Sequence, residues 1–143
     1  MLKRLHGRAT WLVNLAQSRS HTLLSEAFAE AGSRPYHYRI LAALEQAGPL
    51  SQAEAGRLSG IDRSDVTVAL EALDQAGFTE RQPHPSDGRK KLVRLTASGR
   101  RELARLDTVL EDVQTRFLAP LNASERQQFF TLVRKIADEG APE

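Results

Sequence analysis

The stretch Asp87-Gly88-Arg89-Lys90-Lys91-Leu92-Val93-Arg94-Leu95-Thr96-Ala97-Ser98-Gly99 decides how the rest of the chain is read. Phe78 to Gln82 and Leu92 to Leu95 are patterned like strands. Between them lies Pro83-His84-Pro85-Ser86-Asp87-Gly88, a run of turn formers. The spacing predicts a β-hairpin with a cationic tip. Arg81, Arg89, Lys90, Lys91, Arg94, Arg100, Arg101 and Arg105 crowd the segment, opposed mainly by Asp87 and Glu102. A guanidinium at the tip, Arg89, suits a narrow minor groove with its enhanced negative potential, and Lys90 and Lys91 suit phosphates. The plainer reading is a solvated hairpin whose lysines discourage edge-to-edge pairing.

The residues before the hairpin narrow the choice. Ser51 and Glu54 form a capping box that opens a short helix ending near Ser59-Gly60. Asp62 is placed to cap a second helix, which carries Val66, Leu70 and Leu73 and ends at Gly77. Two helices about a tight turn are the parts of a helix-turn-helix, with Ala55, Leu58, Ile61, Val66 and Leu70 as its apolar interior. Arg63, Ser64 and Thr67 then project from the first turns of the second helix. Their hydroxyls suit bases or phosphates, and the Thr67 methyl suits a thymine methyl. Any α protein offers similar helix pairs, with Ser64 and Thr67 merely solvated. Followed by a basic hairpin, the pair points to duplex DNA.

Outward from this centre the patterning is helical. A long helix is expected from about Leu2 to Glu30, with Leu5, Ala9, Leu12, Ala16 and Leu23 at helical spacing. Pro35 opens another, bearing Ile40, Leu41 and Leu44 and stopping at Gly48-Pro49. Thr96 is placed to cap a helix from about Ala97 to Leu118. Its residues Leu103, Leu106, Leu110, Val113 and Phe117 follow the seam spacing of packed helices. After Pro120, Asn122 and Glu125 repeat the capping box for a last helix with Phe129, Leu132, Val133 and Ile136. The expected fold is mainly α with a small two- or three-stranded antiparallel β wing. It forms one domain over 1–143, with a winged helix-turn-helix at 35–96 and a helical dimerisation region at 1–32 and 97–143. The outer helices are too amphipathic to stand alone, and a two-fold homodimer buries the same stripe twice.

Composition bounds the classes. The chain has 143 residues, 41% hydrophobic and 27% charged, as in one ordinary globular domain. Net charge is only +2 with a pI near 9.3, so the distribution of charge matters more than its total. No cysteine is present, which removes disulfide scaffolds, thiolate zinc sites and a thiol sensor, and agrees with a reducing cytoplasm. No apolar run reaches the roughly 18 residues that span a bilayer. No signal-peptide apolar block follows the basic residues 1–8. A soluble, cytoplasmic protein without membrane partners is expected.

Asp87-x-Arg89-x-x-x-Val93-x-Leu95-Thr96-x-x-Gly99 resembles the wing signature of the MarR (multiple antibiotic resistance regulator) family. Gly60-Ile61-Asp62-Arg63-Ser64 and Leu73-Asp74-Gln75-Ala76-Gly77-Phe78 resemble that family's recognition helix and its exit. The resemblance implies a homodimeric winged-helix transcription factor, usually a repressor, of a kind often released by small aromatic or phenolic ligands. It implies groove-facing positions for Ser64 and Thr67, a minor-groove position for Arg89, and a salt bridge from Asp87 that holds the wing arginine. The chain also departs from the family. Val68 and Ala72 stand where members often carry basic residues, and Asp65, Glu71 and Asp74 make the helix nearly acidic. Affinity is therefore expected to lean on the wing, although Asp65 in the first turn favours the helix dipole and is able to accept from a cytosine amino group.

By the same resemblance, a ligand is expected near the junction of the dimerisation and DNA-binding parts. Trp11 and Asn14 on the first helix, and Tyr36, Tyr38 and Arg39 on the second, are the candidate contacts. An aromatic side chain stacks on a ring, and Arg39, Arg8, Arg19 or Arg34 pairs with a carboxylate. Ordinary packing of amphipathic aromatics is the competing reading. His6, His21, His37 and His84 show no metal spacing, so neither a metal nor a cofactor is expected. No phosphate loop or nucleophile elbow appears, and Glu111-Asp112 is most simply a solvated pair, which speaks against an enzyme. The leading expectation is a homodimeric sequence-specific regulator on a pseudo-palindromic double-stranded operator, its half-sites one turn or roughly 34 Å apart. It is expected to repress, and to be released by a small aromatic carboxylate or phenol. The alternative is a protein-interaction adaptor with the same fold and only nonspecific DNA binding.

Overall fold

A computed structural model describes residues 2–140. Residues 1 and 141–143, the outer ends of the expected helical dimerisation region, lie outside the described residues. A 3-10 turn at Lys3–Leu5 precedes α1 (Ala9–Glu30), α2 (Pro35–Ala47), α3 (Gln52–Ser59) and α4 (Arg63–Gln75). Strands β1 (Thr79–Pro83) and β2 (Lys91–Leu95) follow, then α5 (Ala97–Phe117) and α6 (Ala123–Asp138). The first helix thus begins at Ala9 rather than Leu2. Gly7, which costs about 1 kcal/mol inside a helix, falls in the turn between the two segments.

Local chemistry sets most boundaries. Ser51 accepts the Glu54 N–H at 3.2 Å while Glu54 accepts the Ser51 N–H at 3.0 Å, and Asn122 with Glu125 does the same at 2.9 Å in both directions. The Thr96 hydroxyl accepts the Gly99 N–H at 3.0 Å and donates to the Gly77 carbonyl at 2.7 Å, so it caps α5 and ties it to the end of α4. Asp62 stands at the N-cap of α4 in extended conformation, but its side chain makes no capping bond.

The chain divides into two compact units, one of residues 24–111 and one of residues 1–23 and 112–143. The larger unit holds a core of Phe28, Ile40, Leu41, Leu44, Val66, Leu70, Leu73, Val93, Leu95, Leu103 and Leu106. Leu70 has no exposed surface, so Leu70→Ala is expected to cost about 2–5 kcal/mol through lost burial and a residual cavity, read from urea unfolding. Leu58 departs from expectation and is 48% exposed. The inward face of the eight-residue α3 centres on Ala55, Gly56 and Ser59, and Leu58 lies roughly a third of a turn away from it. In the smaller unit Val113 and Leu118 are buried, and Phe117 meets Phe129 edge to face with ring centroids 6.2 Å apart. Leu12, Val13 and Leu15 on α1 and Phe130, Leu132, Val133 and Ile136 on α6 are exposed.

The wing is a two-stranded antiparallel sheet, with Thr79 opposite Leu95, Arg81 opposite Val93 and Pro83 opposite Lys91. A third strand is reduced to one residue: Leu50 and Val93 exchange backbone hydrogen bonds at 3.1 and 2.7 Å. Pro49, beside it, has no N–H with which to extend the ladder.

Candidate nucleic-acid interface

Gly60 closes α3 at φ +66°, a left-handed conformation that side chains disfavour, and so makes the tight turn into α4. Arg63, Ser64, Thr67, Val68 and Glu71 are all exposed, which puts them on one outward face of α4. Their chemistry is unequal. The Thr67 hydroxyl donates to the Arg63 carbonyl at 3.0 Å and accepts from Gln52 Nε2 at 2.7 Å. The Arg63 guanidinium makes no ion pair among the described residues, and Val68 is 68% exposed.

A polar relay fastens α4 to its neighbours. Arg81 Nη2 donates to Gln52 Oε1 at 3.3 Å and Arg81 Nε to Asp74 Oδ2 at 3.1 Å, while the buried Thr79 hydroxyl donates to Asp74 Oδ1 at 2.5 Å. The relay joins α3, α4 and β1. Arg81, singled out as a DNA contact, therefore has its guanidinium engaged within the protein. Gln52 and Asp74 escaped the sequence reading as positioning residues. Asp74 looked like a charge that repels phosphate, but Arg81 neutralises it. Seven residues separate the two across a turn closed by Gly77, and that juxtaposition of opposite charges was the available signal.

The wing tip is built to present one cation. His84 N–H bonds the Lys90 carbonyl and Lys90 N–H the Asp87 carbonyl, both at 3.0 Å. Asp87 Oδ1 accepts the Arg89 N–H at 3.1 Å and lies 3.7 Å from Arg89 Nε. The carboxylate holds the backbone while the Arg89 side chain stays 97% exposed. Lys90 and Lys91 are exposed beside it, and Arg94 pairs with Glu80 across the strands.

The candidate ligand contacts are distributed between the units. Trp11 and Asn14 belong to the smaller one, where the enclosed Trp11 Nε1 has no hydrogen-bond partner among the described residues. Arg19, also there, donates to the carbonyls of Phe117 at 2.6 Å and Arg116 at 2.9 Å, and so caps the end of α5. Tyr36, Tyr38 and Arg39 belong to the larger unit. Arg39 lies over the Tyr36 ring at 5.8 Å. The Tyr38 hydroxyl donates to Asp107 Oδ1 at 2.7 Å, and that bond, with burial and the charges of Asp107 and Glu45, pushes the phenol up to about 12. Tyr38 is thus a neutral donor, already occupied.

A cleft of about 170 Å³ in the larger unit is lined by Ser33, His37, Leu73, Phe78 and Glu102, with none of the candidate contacts on its wall. Burial, and then the Arg34 charge, lowers the His37 pKa below its ordinary 6.5, while Glu102 opposes the shift. The unfolded chain takes up this proton first, so the histidine leaves stability unchanged above that value and subtracts from it as pH falls below. The urea midpoint is expected to drop between about pH 7.5 and about pH 5.5, and to drop less in His37→Gln.

Known proteins resemble this chain in sequence and shape. The model of the MarR family matches residues 33–90. The HTH-type transcriptional repressor NicR of Pseudomonas putida is 33% identical over 98 residues, 68% of this chain and 62% of NicR. The PcaV transcriptional regulator of Streptomyces coelicolor, solved in complex with its natural ligand, superposes with a TM-score of 0.78 at 31% identity, covering 96% of each chain. A MarR mutant of E. coli complexed with operator DNA has the same fold, with a TM-score of 0.78 at 22% identity over 95% of this chain and 98% of its own.

Proposed function

This chain belongs to the MarR family of winged helix-turn-helix regulators, and from that premise we propose a homodimeric repressor that grips a pseudo-palindromic operator and is released by a small aromatic or phenolic ligand. Members of the family are DNA-binding regulators and not enzymes. The observation that carries the reading is the wing tip, where Asp87 fixes the backbone, pairs loosely with Arg89 Nε at 3.7 Å and leaves the Arg89 side chain almost fully exposed. Arg63 and Ser64 enter the major groove, Arg89 the minor groove, and Lys90 and Lys91 meet phosphates. Thr67 and Arg81 act mainly by holding α4 and the wing in register. Residues 35–96 form the DNA-binding region, and 1–32 with 97–143 the dimerisation region of one domain.

Dimerisation is supported by the exposed apolar residues of α1 and α6. Sedimentation equilibrium is expected to give about twice the 15.9 kDa chain mass, and Val133→Glu with Ile136→Glu to return the mass of one chain. A small-molecule signal is supported by the ligand complex of PcaV, and Trp11, Asn14, Tyr36, Tyr38 and Arg39 are the contacts proposed. Salicylate-like compounds should change Trp11 fluorescence and weaken operator binding together. Release requires tighter binding to the DNA-incompetent state, since affinity alone shifts nothing.

Among the described residues, no helix is long and apolar enough to cross a membrane, and a cytoplasmic place follows from the regulatory role. The adaptor reading drew on an acidic α4. The pairing of Asp74 with Arg81 removes part of that charge and favours DNA. An electrophoretic shift with the duplex upstream of the chain's own reading frame separates the readings. Complexes that survive excess competitor support the repressor, and complexes seen only at low salt support the adaptor.

A further inference from the structure

We propose that Val68 reads thymine through its methyl group, so that an apolar contact selects the base pair facing the middle of α4. The inference rests on the DNA-binding role proposed above and adds to it the chemistry of one base.

Val68 is 68% exposed, more than any other large apolar side chain in the larger unit. A single exposed valine on an ordinary surface calls for no explanation. This one lies on the face it shares with Arg63 and Ser64, in the sixth position of a helix whose early turns approach base edges. Its neighbour has little polar capacity left. Thr67 spends its one donor on the Arg63 carbonyl and accepts from Gln52, so its methyl and one lone pair are what it can offer a base.

Beyond Arg63, which suits guanine, the rest of the face lacks the usual readers. From Arg63 to Ala72 the helix has no Asn, Gln or Lys, and the next exposed residue along the face, Glu71, repels phosphate. Bidentate recognition of adenine has no side chain to make it there. The thymine C5 methyl is the only apolar group in the major groove, and it suits a valine. A cytosine at the same position would turn its amino group toward hydrocarbon with no acceptor. The Gln52–Thr67 and Asp74–Arg81 bonds hold α4 firmly enough for a contact that depends on distance alone.

The test replaces each operator thymine in turn by deoxyuridine, which removes only the methyl group. Wild-type affinity for the unmodified operator over competitor is measured first, and its absence would count against the DNA-binding role itself. With specific binding in hand, at least one thymine in each half-site is expected to lose about 4-fold on substitution, the worth of one buried methyl. Val68→Ala should bind the unmodified operator more weakly and show no further loss with deoxyuridine at that position. Because Val68 is exposed, the variant should keep the wild-type melting temperature. Specific binding that is indifferent to every thymine methyl would overturn the proposal. So would deoxyuridine sensitivity that persists undiminished in Val68→Ala.

Discussion

Arg89→Ala is expected to lower operator affinity by about 1–3 kcal/mol, roughly 5- to 150-fold, without changing the melting temperature. Both halves follow from the wing tip. The Arg89 side chain is 97% exposed and its one ion pair among the described residues is with Asp87, 3.7 Å away, so its removal breaks little that the fold depends on. The turn survives because Asp87 bonds the Arg89 backbone, which alanine keeps. What is lost is a guanidinium at the most negative part of a narrow groove. Arg89→Lys should recover only part of the affinity, since a strongly hydrated ammonium is a poorer guest there than a planar guanidinium. Lys90→Ala and Lys91→Ala should each reduce the salt dependence by about one unit of slope and weaken all sequences alike. Fluorescence anisotropy over a salt series checks all four variants. Unchanged affinity in Arg89→Ala would remove the wing from the interface.

Gly99→Ala acts on the fold instead. A Cβ at residue 99 would run into the Phe78 carbonyl and come within 2.7 Å of Leu95 Cδ1. The first of these is backbone and cannot rotate away, and Leu95 is a buried core residue. The start of α5 must then lift off the base of the wing, which strains the Thr96 bonds to Gly77 and Gly99. A loss of at least about 1–3 kcal/mol is expected, the range for overpacking a well-filled site. The melting temperature should fall by several degrees, and operator affinity should fall with it because the hairpin is rooted there. A variant as stable as the wild type would mean that α5 and the wing pack more loosely than described.

The parts of the fold fixed by neighbours in sequence were legible there. Both capping boxes, the Thr96 cap and the strand pair follow from residues a few positions apart, and each recurs in the structure. Leu58 failed because apolarity alone does not say which way a two-turn helix faces. Asp62 failed as a hydrogen-bonding cap although it stands at the right position. The relay through Gln52, Thr67, Asp74 and Arg81 was illegible for a different reason. Gln52 and Arg81 are 29 residues apart, and only the packing of the wing on the two helices brings them together. Read one residue at a time, Arg81 was a DNA contact and Asp74 a liability. As a pair they neutralise each other and brace α4.

The most direct measurement is a stoichiometric titration of the full chain into the duplex upstream of its own reading frame, with excess competitor DNA at near-physiological salt. Saturation at two chains per duplex, over a protected stretch with two-fold related halves, is the result predicted for paired helices and paired cationic wings. One chain per duplex, or binding that the competitor abolishes, would contradict it.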